Sequence, residues 1–230
     1  MELKKESMQI LKEKSRAKSQ ITFDEDFNVP DAKPDAGRLI QNKGRIIMDD
    51  VRLTDGKGIL TGNLQVDILY VGEERGIVSS LTAKLPFEET LNLKNIINGD
   101  KMCLKWEIED LTIRLIHSRK LNIKALVTFC ATVDETEQIR LPVALDAEEV
   151  SVRKKTVRFL GLTVHKKDTL RIKDEYTIAS NRPDIASLIW YTMDVRGLDL
   201  KPEENVVKAR GELSVFVLYG AEDTEAPVQW

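Results

Sequence analysis

The sequence predicts an all-β protein of mainly antiparallel, sandwich- or barrel-like domains, with one short helix in each of two repeats. Three observations carry that reading. Apolar and polar residues alternate over long stretches, as they do in half-buried strands. Turns rich in Gly and Asp punctuate those stretches. The chain of 230 residues also repeats itself at a fixed offset of 149. Pro34/Pro183, Asp35/Asp184, Leu39/Leu188 and Ile40/Ile189 are identical pairs. Without a gap, Gly62/Gly211, Leu64/Leu213, Val66/Val215, Leu69/Leu218 and Tyr70/Tyr219 follow. That period is far too long for a solenoid, so whole domains are repeated.

The elements follow in order. Strands are expected over Met8–Phe23, Arg45–Leu53, Ile59–Val71 and Ile77–Leu85. Thr54–Gly58 supplies the Asp-Gly that a tight hairpin turn favours, and Gly72–Gly76 makes the next turn. Lys101–Ile116 alternates too, but its phase slips. Met102, Leu104, Trp106 and Ile108 share one parity; Leu111, Ile113 and Leu115 share the other. A β-bulge at Glu109–Asp110 would produce that slip. His117–Lys120 then turns the chain into Leu121–Val133, where every odd-numbered residue is apolar and Cys130 faces outward. The helix in each repeat is expected after the Pro-Asp pair, from Pro34 to about Gly44 and over Pro183–Tyr191. Proline is at ease in a first helical turn, and Asp complements the helix dipole there.

The expected organisation is a first β-domain over 1–140, a linker over 141–149 and a second β-domain over 150–230. Trp230 aligns with Leu81, so the counterparts of residues 82–134 fall beyond it. The second domain is therefore expected to be truncated on its C-terminal side, exposing sheet edges and apolar surface. Phe216 and Leu218 place apolar groups on the face where the first repeat carries Gln65 and Asp67, which points to burial of that strand on both sides.

Composition narrows the function. Charged residues make up 32% of the chain, yet the net charge is only −3. That balance argues against binding nucleic acid or anionic membranes by bulk electrostatics. Short basic runs at Arg153–Lys155 and His165–Lys167 read as solvated strand faces. No apolar run approaches the roughly 20 residues that span a bilayer, and MELKKESMQILKEK has no apolar signal-peptide segment. Cys103 and Cys130 make neither a disulfide framework nor a metal spacing, so a reduced, cytoplasmic compartment is the simplest expectation.

Candidates for chemistry are few. His117 falls in a turn and His165 at a strand edge, neither beside ligands that recur in the other repeat. Cys130 has no visible base to activate it. The acidic clusters Asp24–Asp26 and Glu107–Asp110 sit in or beside alternating strands, where solvated faces or salt bridges account for them. Trp106 reads as core and Trp190 as part of the second short helix; Trp230 closes the sequence. No catalytic residue, metal ligand or cofactor site is expected. The element that recurs is Pro34–Asp35 and Pro183–Asp184, read as a structural start or as a repeated contact with a partner.

Several separated motifs then converge. They are EDFNVPDAKPD (25–35), LYVGEE (69–74), LPFEETLNL (85–93) and IEDLTIRLIHSRKLNIKA (108–125), with KDTLRIKDEYTIASNRPDI (167–185), GELSVFVLYGAED (211–223) and APVQW (226–230) from the second repeat. Together they resemble the SPOCS-domain family, spore-coat-associated proteins of endospore-forming bacteria, mainly clostridia. These often carry tandem SPOCS domains ahead of a LysM module. His117 departs from the family, which more usually has Asn at that turn. The resemblance implies a non-enzymatic part in coat or envelope morphogenesis through protein–protein contacts. It implies spore-coat morphogenesis partners, the scaffold ATPase among them, and a location on the mother-cell side of the forespore. No LysM-like segment occurs in these residues. Self-association through open sheet edges is a further expectation. The alternative reading is a β-module that binds cortex or peptidoglycan glycan.

Overall fold

A computed structural model describes residues 2–54, 56–74, 76–97, 99–146, 151–153, 155–156, 158, 169–221 and 227–229. Every regular element among them is a β-strand, and every pairing is antiparallel. The first repeat contains β1 (Glu2–Asn28), β2 (Ala36–Thr54), β3 (Lys57–Gly72), β4 (Val78–Asn92), β5 (Met102–His117) and β6 (Lys120–Asp146). They form two three-stranded sheets, ordered β1-β6-β5 and β2-β3-β4. β5 lies against β2, and β1 against β4, so the sheets close as a sandwich.

One core fills the space between them. Leu121, Ile123, Ala125, Val127, Phe129, Ala131 and Val133 of β6 are all buried, as their alternation requires. Leu60, Leu64, Val66, Ile68 and Tyr70 of β3 face them from the centre of the other sheet. Phe87 of β4 bridges the sheets, with its ring 6.2 Å from Phe23 of β1 and 5.2 Å from Phe129 of β6. The phase slip is a β-bulge. The register shifts between Ile108 and Asp110, leaving Glu109 unpaired; its carboxylate accepts from Thr128 Oγ1 at 2.5 Å and Gln20 Nε2 at 2.9 Å.

Three expectations are corrected. No helix follows Pro34 or Pro183. β2 begins at Ala36, and β7 (Ser187–Pro202) takes the latter part of the stretch read as the second helix, after a turn. Register shifts at Ala36/Arg38 and Leu39/Gln41 break the period of two, so the stretch does not look like a strand from its pattern. Gly37 and Gly44 also weigh against a helix. Trp106 is 44% exposed rather than core, because β5 is an edge strand and inward parity does not ensure cover there. Finally, Leu141–Asp146 continue β6 rather than forming a linker. They pair with Glu2–Lys5 and Glu6 as a two-stranded ribbon reaching past the sandwich. The rest of that linker, residues 147–149, lies outside the described residues.

In the second repeat, β7, β8 (Val207–Gly220) and β9 (Val228–Gln229) form one sheet in that order. They stand at the positions of β2, β3 and the start of β4. The bulge at Leu39/Gln41 returns at Leu188/Trp190, and that at Met48/Asp50 returns at Arg196/Asp199. Residues 169–179, at the positions of the end of β1, form no strand. In the first repeat β1 is held by its ladder to β6.

Candidate functional site: the Pro-Asp turn and the open face

The recurring Pro-Asp element is a turn, built alike in both repeats. Lys33 N donates to Pro30 O at 2.9 Å, and Arg182 N donates to Ala179 O at the same distance. Tyr70 is fully buried and its hydroxyl donates to Pro34 O at 2.9 Å; Tyr219, equally buried, donates to Pro183 O at 3.0 Å. Each tyrosine thus clamps the chain entering its sheet onto the sheet's central strand. Burial pushes the Tyr70 phenol above its ordinary pKa.

In the first repeat this turn is also locked to the other sheet. Arg119, in the β5–β6 turn, donates to Lys33 O at 2.9 Å, Asp35 Oδ1 at 3.0 Å and Asp31 Oδ1 at 2.8 Å. Ala36 N donates to Ser118 O, Val29 N to Arg119 O, and Glu73 N to Asp35 O, all within 2.9 Å. Asp35 is therefore a hub that ties the β1–β2 crossover to two turns. Sequence reasoning missed Arg119, because nothing local marks a lone arginine as the partner of carboxylates more than 80 residues away. Asp184 is exposed and stands in the turn without such a lock among the described residues.

The remaining candidates are structural. Asp24 and Asp26 pair across the ladder with Lys124 and Lys120, each at 2.8 Å, and Asn122 donates to both. The lysine hydrogen bonds hold both carboxyls below the ordinary range. In the other acidic cluster, Glu109 fills the bulge and Asp110 accepts from Thr112 Oγ1. His117 Nδ1 accepts from Arg119 N at 3.3 Å. Cys103 is exposed and Cys130 half-buried, both as free thiols. His165, Lys154, Lys166, Lys167 and Trp230 lie outside the described residues. Among the described residues no group of His, Cys, Asp and Glu is placed to hold a metal ion, and no helix is long and apolar enough to cross a membrane. Trp106 is exposed on β5 while Trp190 is buried, so these two make no shared aromatic platform.

What distinguishes the second repeat is a face. Tyr191, Met193 and Val195 of β7 pair with Val217, Val215 and Leu213 of β8, so six apolar side chains share one side of the sheet. On β3 the counterparts Leu64, Val66 and Ile68 are fully buried beneath the second sheet. Here Leu213 is 50% exposed, Met193 54%, Val195 64% and Tyr191 43%. On β2 the position of Met193 is Gly44, which a β5 strand overlies closely. A Cβ there would lie 2.9 Å from Leu111 Cδ2 and 3.1 Å from Ile108 Cδ1.

No curated protein and no solved structure matches the chain. Residues 35–116 do match a family model. They run from the turn's Asp35 through β2, β3 and β4 to one residue short of the end of β5. That model is described as SipL, SPOCS domain; residues 35–116 are thus similar to a SPOCS domain, and that family suggests a sporulation-related protein.

Proposed function

We propose that the chain is a non-enzymatic interaction module of endospore coat or envelope assembly, acting through protein–protein contacts made by the open face of its second repeat. The asymmetry between the repeats supports this reading. The same alternating apolar side chains that are dry on β3 are half-exposed on β8. A contiguous apolar surface of that kind marks a place where another surface sits. The first repeat indicates the kind of partner: an antiparallel β-sheet laid face to face, with alternating apolar residues turned inward. Met193 in place of Gly44 adds a requirement. The covering strand needs smaller side chains at that point than Ile108 and Leu111.

The partner class is a spore-coat morphogenesis protein, the scaffold ATPase first among them, met on the mother-cell side of the forespore surface. The test is a pull-down from sporulating-cell lysate with the 230-residue chain as bait, beside a Leu213→Asp bait. Purified cortex is offered to both. Recovery of the coat-scaffold ATPase by the first bait and its loss with the second is the expected result. Equal recovery by both baits, or no recovery, refutes the docking face. Retention on cortex alone would replace this reading with glycan binding.

A further inference from the structure

The ribbon that β1 and β6 form past the sandwich has two free edges. β5 begins its pairing at Met102 with Val133, so β6 is uncovered beyond that point. Among the described residues no strand pairs with the far edge of β1. The two edges are built differently. The β6 edge carries Pro142, which has no N–H to offer, beside a register shift that leaves Val143 unpaired. Proline and bulges are what blunt an exposed edge. β1 has neither from Lys5 to Glu13, and its next irregularity is the bulge at Lys14. A regular, open edge is a template for one more strand.

The charges on that edge say which strand fits. Lys5, Glu6, Lys12 and Glu13 are all exposed and stand symmetrically about Gln9. Two copies of β1 laid antiparallel about Gln9 therefore set Lys5 opposite Glu13 and Glu6 opposite Lys12, each pair occurring twice. Met8 falls opposite Ile10 beside the axis. Opposite charges and apolar pairs directly across a ladder stabilise it. The faces agree as well. Met8 pairs with Ile139 and Glu6 with Leu141 on their own ribbon, so the Met8–Ile10 contacts run on into an apolar patch. Lys12 lies 3.6 Å from Glu137 and 3.8 Å from Glu135, loose contacts that leave it free to meet Glu6 of a second copy.

Other alignments match worse. Outward-pointing amides stay opposite one another only when the strands slip by two residues at a time. A slip one way sets Lys4 opposite Lys12 and Glu6 opposite Ile10. The other way sets Met8 opposite Lys12 and Ser7 opposite Glu13. The matched ladder also has a natural end, because the Lys14 ammonium beyond it is already held by Asp100 at 2.7 Å.

We propose that two copies of this chain join edge to edge through Lys5–Glu13 of β1, forming a continuous antiparallel ribbon in the order β6-β1-β1-β6. The contact uses none of the apolar residues of the open β8 face. Sedimentation equilibrium of the 230-residue chain tests it. The parent should show a concentration-dependent monomer–dimer equilibrium. Glu6→Lys and Lys12→Glu each put like charges opposite one another at two places, and each should weaken the dimer about tenfold or more. Mixed one to one, the two variants regain both ion pairs and should form a mixed dimer as tight as the parent's. Leu213→Asp should leave dimerisation unchanged. A parent still monomeric at about 1 mM, single variants that dimerise as tightly as the parent, or a mixture no tighter than either variant alone overturns the proposal. A dimer that Leu213→Asp abolishes also overturns it, and assigns the association to the β8 face.

Discussion

Replacing Tyr70 by Phe removes one hydroxyl and nothing else from a fully buried side chain. The hydroxyl donates to Pro34 O at 2.9 Å and also interacts with Ser79, so the change tests the clamp between β3 and the turn. A neutral hydrogen bond contributes about 0.5–1.5 kcal/mol net, and a carbonyl left dry costs about 1–3 kcal/mol more. Pro34 is half-buried, so water reaches its carbonyl in part, and the expected loss is about 1–2 kcal/mol. For a unit of roughly 150 residues that lowers Tm by about 2–8 °C. Thermal unfolding followed by near-ultraviolet circular dichroism reads the shift. A second readout isolates the phenol. Its folded pKa is raised above the ordinary value of 10.0, chiefly by burial. The stability it supplies is thus complete below pH 10 and is lost as pH rises through the folded value. Tyr176 is raised too, by its hydrogen bond with Asp174, so ultraviolet titration should show late ionisation from both phenols in the parent and a smaller late component in Tyr70→Phe. A Tm change under 1 °C would refute the clamp, and an unaltered late component would refute the burial of the Tyr70 phenol. Tyr219→Phe removes the matching bond at Pro183 and should loosen the second repeat while leaving the Tyr70 component in place.

Other consequences follow from paired positions. Gly62→Ala sets a Cβ 2.4 Å from Ile47 O, a backbone atom, and should cost about 1–3 kcal/mol by chemical denaturation. Gly211→Ala meets Arg196 O at 3.3 Å and should cost clearly less. Leu64→Ala empties a dry core site and should cost about 2–5 kcal/mol. Leu213→Ala, at the half-exposed counterpart, should stay within about 1 kcal/mol in the isolated chain. Lys14 hydrogen-bonds Asp100 at 2.7 Å and holds that carboxyl below its ordinary 3.8. The stability from the pair is present above pH 3.8 and lost as pH falls through the lower folded value. Asp100→Asn should therefore flatten that acid limb, as unfolding midpoints measured between pH 5 and 2 would show.

Legibility in this chain tracks how local the determining physics is. The inward face of β6 and the Glu109 bulge were readable because a strand writes its buried side into every second residue, and a bulge writes itself as a phase change. The same rule explains the failed helix. β2 carries three register shifts, so its period dissolves and Pro34–Asp35 was left as the strongest local signal. Trp106 failed for a different reason: parity states which way a side chain points, not whether anything covers it. The Arg119 lock lies further out of reach, since it joins turns that only the sandwich brings together.

That distinction bears on the two repeats. Their turns, tyrosine clamps and bulges coincide at a fixed offset because these features are local, and β7-β8 can form them unaided. What differs is everything that needs the other sheet: Asp184 has no counterpart of the Arg119 lock among the described residues, and the β8 face is uncovered. A hairpin that holds its register while its apolar face stands open among the described residues is a preformed surface for a second layer, whichever chain supplies that layer. Association with it should carry little ordering cost, because the six apolar side chains already stand on a paired ladder. Hydrogen exchange separates the two views. Slow exchange of the paired β7–β8 amides in the isolated chain fits a preformed surface; exchange as fast as that of an unstructured peptide would show that the surface forms only with its partner, and the low-cost argument would fall.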